Sequence, residues 1–340
     1  MRPKVLLNFG PHVYDQWVTP QSWARLESFA EPVGRDRTDP YTESQLIEAL
    51  EGVAGVMSQG SLIAHLPREV LQHADTLRLI GLWSDNMGHE LDYEAARERG
   101  IKVVDTSNVG SHQPVAEWVL ALTLACLRNL GEITRRMIDR TERQAVALND
   151  DFVNGELTGK RVGLVGFGHI GRRLLELLAP FRVDLKVCDP FLAQTVIDEH
   201  GIHTADLDDV IQHAEILIIQ VPHTPTTGGM IGRRELDLMC KGGILISCCR
   251  GPVIQSDALI EKLQRNEIIA GLDVFDPEPI PKDSPIRDLP NAIISPHIAW
   301  YAPAAFPRYF DTMVDEFERF FRREPLQFEL TPQLYAQRNT

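Results

Sequence analysis

The sequence predicts an α/β protein built from two doubly wound parallel-sheet domains. Three observations carry that expectation. Short apolar runs alternate with helix-compatible segments over most of the 340 residues, the pattern of a parallel sheet covered by helices. A chain of this length is too long for one small domain, and two is the natural division. Near Gln113 the character changes: Pro114 suits a first helical position, an apolar helix follows, and strand–helix alternation then begins afresh.

In chain order, the first strands are expected at Val5–Leu7, Val53–Met57, Leu79–Leu82 and Lys102–Val104, with amphipathic segments such as Glu43–Leu50 and Asp92–Arg99 between them. The helix from Pro114 to Leu127 is apolar nearly all round, so it should be buried or lie at a subunit interface. A charged helix is expected over Glu132–Ala147. Further strands follow at Arg161–Val165, Leu185–Cys188, Ile216–Ile219, Ile244–Ile246, Ala270–Asp273 and Ala292–Ile294. A last helix, Ala305–Arg322, is expected to return to the first domain. The expected domains are residues 1–107 with 299–340, flavodoxin-like, and residues 108–298.

Composition narrows the function. Hydrophobic residues at 44% and charged residues at 24% fit an ordinary soluble protein. Lys and Arg number 34 against 48 Asp and Glu, a net charge of -14, which argues against nucleic acid or an anionic membrane surface as partner. An anionic substrate must therefore meet locally placed cations. The longest apolar stretch, Val115–Leu127, is interrupted by Glu117 and is too short to span a bilayer. The N-terminus runs into a strand without a signal-peptide pattern. Cys126, Cys188, Cys240, Cys248 and Cys249 form no C-x-x-C pair, which suits reduced thiols in cytoplasm and offers no metal site. The adjacent Cys248 and Cys249 read as strand residues facing opposite sides.

Gly166-Phe167-Gly168-His169-Ile170-Gly171 has the spacing G-x-G-x-x-G. Alone that spacing is weak. Here it follows a strand, opens a helix near His169, and precedes an acidic residue, Asp189, at the end of the next strand. The context reads as the dinucleotide-binding turn of a Rossmann domain. Gly166 allows the tight turn, Gly168 lets backbone approach a pyrophosphate, and Gly171 lets the helix pack on the strand. At His169 and Ile170 the backbone would face the phosphates, beside the unpaired N–H groups of the helix N-terminus. Asp189 can accept from ribose hydroxyls and would repel a 2′-phosphate, which favours NAD over NADP. Arg172 and Arg173 leave a second reading open, since they could accommodate that phosphate or simply form a solvated helix face.

Three short signatures follow in order: Cys249-Arg250-Gly251, Asp273-Val274-Phe275-Asp276-Pro277-Glu278-Pro279 and Ser295-Pro296-His297. A fixed cation, a carboxylate and an imidazole are what hydride transfer at a 2-keto or 2-hydroxy acid requires. Arg250 ends a buried strand at the edge where ligands sit in such sheets, and its guanidinium fork suits a carboxylate. Glu278 sits in a rigid loop between two prolines, and Pro296 fixes the direction of His297. The bland alternatives are a salt-bridged arginine, a lone surface acid and a satisfied loop histidine.

From about Gly159 to His297 the chain resembles the D-isomer-specific 2-hydroxyacid dehydrogenases. The stretches that carry the resemblance are Gly166 to Gly171, Val221-Pro222-His223-Thr224-Pro225-Thr226-Thr227, Arg250-Gly251, Leu272 to Phe275 with Glu278-Pro279, and Ser295-Pro296-His297. Val115-Ala116-Glu117 is similar to the family's interdomain helix. The resemblance implies a substrate domain and an NAD-binding domain with the active site in the cleft, and a homodimer built on the cofactor domain. It implies that His297 is the acid/base, Glu278 its partner, Arg250 the substrate-binding arginine and Asp273 the partner of the nicotinamide carboxamide. Thr227 and the backbone near Val221, Pro222 and Cys248 would line the dinucleotide, with Arg250 and His297 bordering it.

The substrate loops depart from the family pattern. Gln59 and Gly60 in one loop, Leu82, Trp83 and Ser84 in the other, and Trp300 after His297 are the expected substrate contacts. The first loop, Ser58-Gln59-Gly60-Ser61, has no arginine, which disfavours a phosphorylated substrate. Trp300-Tyr301 is similar to the aromatic pair of the C-terminal-binding proteins. Trp300 could wall an apolar substrate side chain or pack a hinge. Two other functions stay open: an NADH-sensing corepressor or peptide-binding module, and oxidation of another small oxyanion such as phosphite.

Overall fold

The structure is a computed structural model and describes residues 2–35, 39, 41–59, 65–83, 91–141 and 155–339. The chain divides into two compact units, Met1–Ser111 with Ala302–Asn339, and His112–Tyr301.

The first unit holds five parallel strands in the order β2-β1-β3-β4-β5. These are β1 (Lys4–Asn8), β2 (Glu31–Val33), β3 (Val53–Ser58), β4 (Leu79–Leu82) and β5 (Lys102–Asp105). This is the flavodoxin-like order, with its switch point between β1 and β3. Strands β3 and β4 are buried throughout, as expected of a parallel sheet covered on both faces. Threonines start two of the covering helices: the Thr19 hydroxyl accepts from the Ser22 N–H at 3.0 Å, and the Thr42 hydroxyl from the Gln45 N–H at 3.3 Å. The Phe306–Phe321 helix returns to this unit and buries Phe310, Met313, Val314 and Phe317. Gly81 makes room for it, because a Cβ there would lie 2.1 Å from the Met313 sulfur.

The second unit holds seven parallel strands in the order β12-β11-β10-β9-β6-β7-β8. They are β6 (Arg161–Val165), β7 (Asp184–Cys188), β8 (His203–Thr204), β9 (Ile216–Ile219), β10 (Gly243–Ser247), β11 (Ile268–Leu272) and β12 (Ala292–Ile294). The order reverses between β6 and β9, which is the doubly wound arrangement that binds dinucleotides at the switch point. All neighbours run parallel, so every carboxyl end lies along one edge.

Two expectations about helices need correction. The apolar helix begins at Ser107, not Pro114, and Pro114 lies inside it. Proline frees the carbonyl four residues earlier, which is that of Gly110. That carbonyl accepts instead from the Arg308 guanidinium at 3.5 Å. The charged helix is observed over Leu130–Ile138, and the end expected at Ala147 lies outside the described residues.

Candidate active site

The glycine turn is built as its spacing requires. Gly166 has φ +94°, and a Cβ there would lie 2.4 Å from the Gln220 carbonyl oxygen. A Cβ on Gly171 would lie 2.9 Å from the Gly166 oxygen, so this glycine lets the His169–Leu178 helix close on the turn. Gly168, the residue before that helix, is different: a Cβ there would meet nothing within 4 Å. Its missing side chain leaves an open cradle beside the helix N-terminus, where His169 and Ile170 begin the helix. The Asp189 carboxylate closes the other side. It accepts from the Phe167 N–H at 2.8 Å and the Phe191 N–H at 3.0 Å, which ties it to the turn.

At the neighbouring end of β9, the Gln220 side-chain amide is buried with no hydrogen-bond partner among the described residues. Val221 and Pro222 follow it, and the Thr227 hydroxyl donates to the Pro222 oxygen at 2.6 Å, closing their loop. Thr227 thus shapes the loop that its neighbours present. An open cradle, a tethered acid and an orphaned amide at the switch point fit a dinucleotide. Sequence reasoning missed Gln220, whose only signal is a polar residue ending an apolar strand.

The candidate reacting groups follow along the same edge. Cys248 and Cys249 are buried after β10, and burial holds both thiols above their ordinary range, so neither is a thiolate. The half-buried Arg250 comes next and donates to the Cys249 oxygen at 2.6 Å. Gly251 has no alternative, because a Cβ would lie 1.7 Å from the Phe275 oxygen. Through it, the Arg250 segment passes directly against the loop that carries Glu278.

Glu278 uses both oxygens. Oε1 accepts from the Phe275 N–H at 2.9 Å, which fixes the carboxylate to its own loop. Oε2 lies 2.8 Å from His297 Nδ1. This pairing puts the proton of a neutral imidazole on Nδ1 and leaves Nε2 as the acceptor nitrogen.

His297 itself has φ +54°, a left-handed conformation that costs a residue other than glycine. Hydrogen bonds around the turn hold it there. Asp273, 0% exposed at the end of β11, accepts from the Ile298 N–H at 3.0 Å and the Ala299 N–H at 2.8 Å. It also accepts from the Ser295 hydroxyl at 2.5 Å, and that hydroxyl receives the Trp118 indole N–H at 3.2 Å. The Trp300 indole N–H donates to the His297 carbonyl at 3.1 Å. The sequence showed neither the Trp118–Ser295–Asp273 chain nor the role of Asp273 in setting the histidine turn.

On the first unit, the expected substrate residues divide. Gln59 follows β3 at the switch point, and its side-chain oxygen is buried without a partner among the described residues. Beside it the Asn8 amide donates to the Ser58 hydroxyl at 3.0 Å, a pair that sequence reasoning missed. Leu82 and Trp83 need correction, because their side chains belong to the core. Trp83 is 6% exposed, packs against Phe9, Trp17 and Phe310, and donates its indole N–H to the Tyr309 oxygen at 3.0 Å. Gly60 and Ser84 lie outside the described residues.

Comparison with known proteins follows the same division. Residues 120–299 match the family model described as D-isomer specific 2-hydroxyacid dehydrogenase, NAD binding domain. A D-3-phosphoglycerate dehydrogenase of Methanocaldococcus jannaschii is 32% identical over 259 residues, 75% of this chain and 47% of that protein. The chain thus spans about half the length of that relative. A glyoxylate/hydroxypyruvate reductase B of Yersinia pestis is 33% identical over 267 residues, 77% of this chain and 79% of that protein. A solved phosphoglycerate oxidoreductase from Rhizobium etli matches with a TM-score of 0.81 at 27% identity, over 96% of this chain and 98% of the other. With its second unit matched as an NAD-binding domain and a reductase aligned over most of both lengths, the chain belongs to the D-isomer specific 2-hydroxyacid dehydrogenase family.

Proposed function

We propose that this protein is an NAD-dependent oxidoreductase interconverting a 2-keto acid and a D-2-hydroxy acid, with His297 as acid/base. The observation that carries the reading is the 2.8 Å pairing of His297 Nδ1 with Glu278. Bound NADH supplies the hydride. Arg250 holds the substrate carboxylate and polarises the carbonyl. His297 Nε2 gives its proton to the oxygen of the reduced carbon, and Glu278 stabilises the imidazolium before that transfer. In the oxidising direction Nε2 takes the proton back. Asp273 and the backbone around Val221, Pro222 and Cys248 border the nicotinamide end.

Gln59 supplies a polar contact to the rest of the substrate, supported by its orphaned oxygen. Trp300 offers an exposed indole face while its N–H is committed to His297. Asp189 favours NAD over NADP. The protein acts as a homodimer through its cofactor unit, supported by Leu130, Met137 and Ile138, all exposed on one helix, Ile138 at 74%. Free thiols at all five cysteines suit a cytoplasmic location.

The test is NADH and NADPH oxidation against glyoxylate, hydroxypyruvate and bulkier 2-keto acids. Turnover with NADH on at least one acid, abolished by Arg250→Gln, supports the reading. Tight NADH binding without turnover on any acid contradicts it.

A further inference from the structure

We propose that a cavity at the amino edge of the first unit's sheet binds a small organic phosphate. The cavity has a volume of about 440 Å³. It lies at the opposite edge from Gln59 and Trp83: Arg78 immediately precedes β4, and Lys102 is the first residue of β5. Its other walls come from the end of the Phe306–Phe321 helix and the segment after it.

The charges in the cavity are not balanced. Glu329 forms an ion pair with Lys102, and Glu324 lies 3.9 Å from Arg319. Arg78 and Arg323 have no side-chain partner among the described residues, although both line the cavity. The lining therefore carries three cations, Arg78, Lys102 and Arg323, against two carboxylates, a local positive excess on a chain of net charge -14.

Arg323 adopts a left-handed backbone, as Arg140 and Arg182 also do after their helices. Arg323 has φ +61°, directly after the C-terminal end of the helix. Glycine is the usual occupant of that position, because a side chain there is strained. The main chain of Arg78 is meanwhile fixed in the sheet, its N–H on Ala54 and its carbonyl on Lys102, at 3.0 and 2.9 Å.

The ligand chemistry follows from the walls. Paired guanidinium forks match the oxygens of a phosphate dianion better than a single carboxylate. Phe320, Phe321 and Leu326 give the cavity a half-buried apolar side, which fits the organic part of a monoester. A bound ester would tie the helix end to the starts of β4 and β5. This site does not depend on the reaction proposed above.

The experiment is calorimetric titration of the full chain, saturated with NAD, with phenyl phosphate and inorganic phosphate as probes. Arg78→Gln and Arg323→Gly are measured beside the wild type. The expected result is binding of both probes, phenyl phosphate the tighter, with at least about tenfold weakening in each variant. Arg323→Gly should keep or raise the melting temperature, so that lost binding is not lost folding. No binding to the wild type, or binding retained in either variant, overturns the proposal; binding retained in both would assign the phosphate to the Arg250 or glycine-turn region.

Discussion

Asp273 and His297 are joined through the backbone: the buried carboxylate at the end of β11 accepts the N–H groups of the two residues that follow the histidine, at 3.0 and 2.8 Å. A charge held inside one strand end therefore sets the direction of an imidazole on the next. Asp273→Ala leaves those N–H groups and the Ser295 hydroxyl without their acceptor. The expected cost is about 3 kcal/mol, since each buried donor left unpaired costs about 1–3 kcal/mol. Urea denaturation measures it, and a loss below about 1 kcal/mol would deny Asp273 this role.

The strain at His297 predicts that stability and activity separate. Asparagine tolerates the left-handed region better than most residues. His297→Asn should keep stability within about 1 kcal/mol of wild type while lowering kcat by about 10²-fold or more. Thermal melts and steady-state rates on the same preparation check both halves. A variant that unfolds would show that the imidazole itself holds the loop.

The glycines of the cofactor turn should respond in opposite ways. Gly166→Ala places a Cβ at 2.4 Å from a carbonyl oxygen at φ +94° and should fold poorly. Gly168→Ala meets nothing within 4 Å, so its melting temperature should hold. Its affinity for NAD should nonetheless fall by about tenfold, because the methyl enters the space left for the pyrophosphate. Titration of NAD by tryptophan fluorescence reads the difference. Unchanged affinity in Gly168→Ala would place the phosphates elsewhere.

Burial pushes the Cys126 thiol up to about 12. The group is therefore protonated, and shielded, at any pH near neutrality. Iodoacetamide at pH 8 should modify the less buried Cys188 and Cys240 well before Cys126, Cys248 and Cys249 in the native protein. Peptide mass spectrometry over time checks the order, and early labelling of Cys126 would mean that the second unit opens readily.

Legibility in the sequence followed the range of each interaction. The apolar strand β6, the glycine turn and Asp189 are local patterns and could be read directly. The strands β2 and β8 could not, because Glu31–Val33 and His203–Thr204 are edge strands too short to show an apolar run. Pro114 suggested a helix start because the guanidinium that relieves it comes from Arg308, far along the chain. The pairing of Glu278 with His297 was foreseen from residue types, whereas the clamp by Asp273, Ser295 and Trp118 depends on three separate elements meeting. Leu82 and Trp83 are expected at the substrate because position at the end of β4 says where a residue sits but not whether its side chain turns into the core.

The central claim is that His297, held by Glu278, moves the proton in hydride transfer. Single-turnover NADH oxidation with the preferred 2-keto acid, compared between wild type and His297→Asn at matched cofactor occupancy, tests it most directly. The account predicts that cofactor binding survives and the hydride-transfer rate falls by about 10²-fold or more. A rate within about threefold of wild type would contradict it.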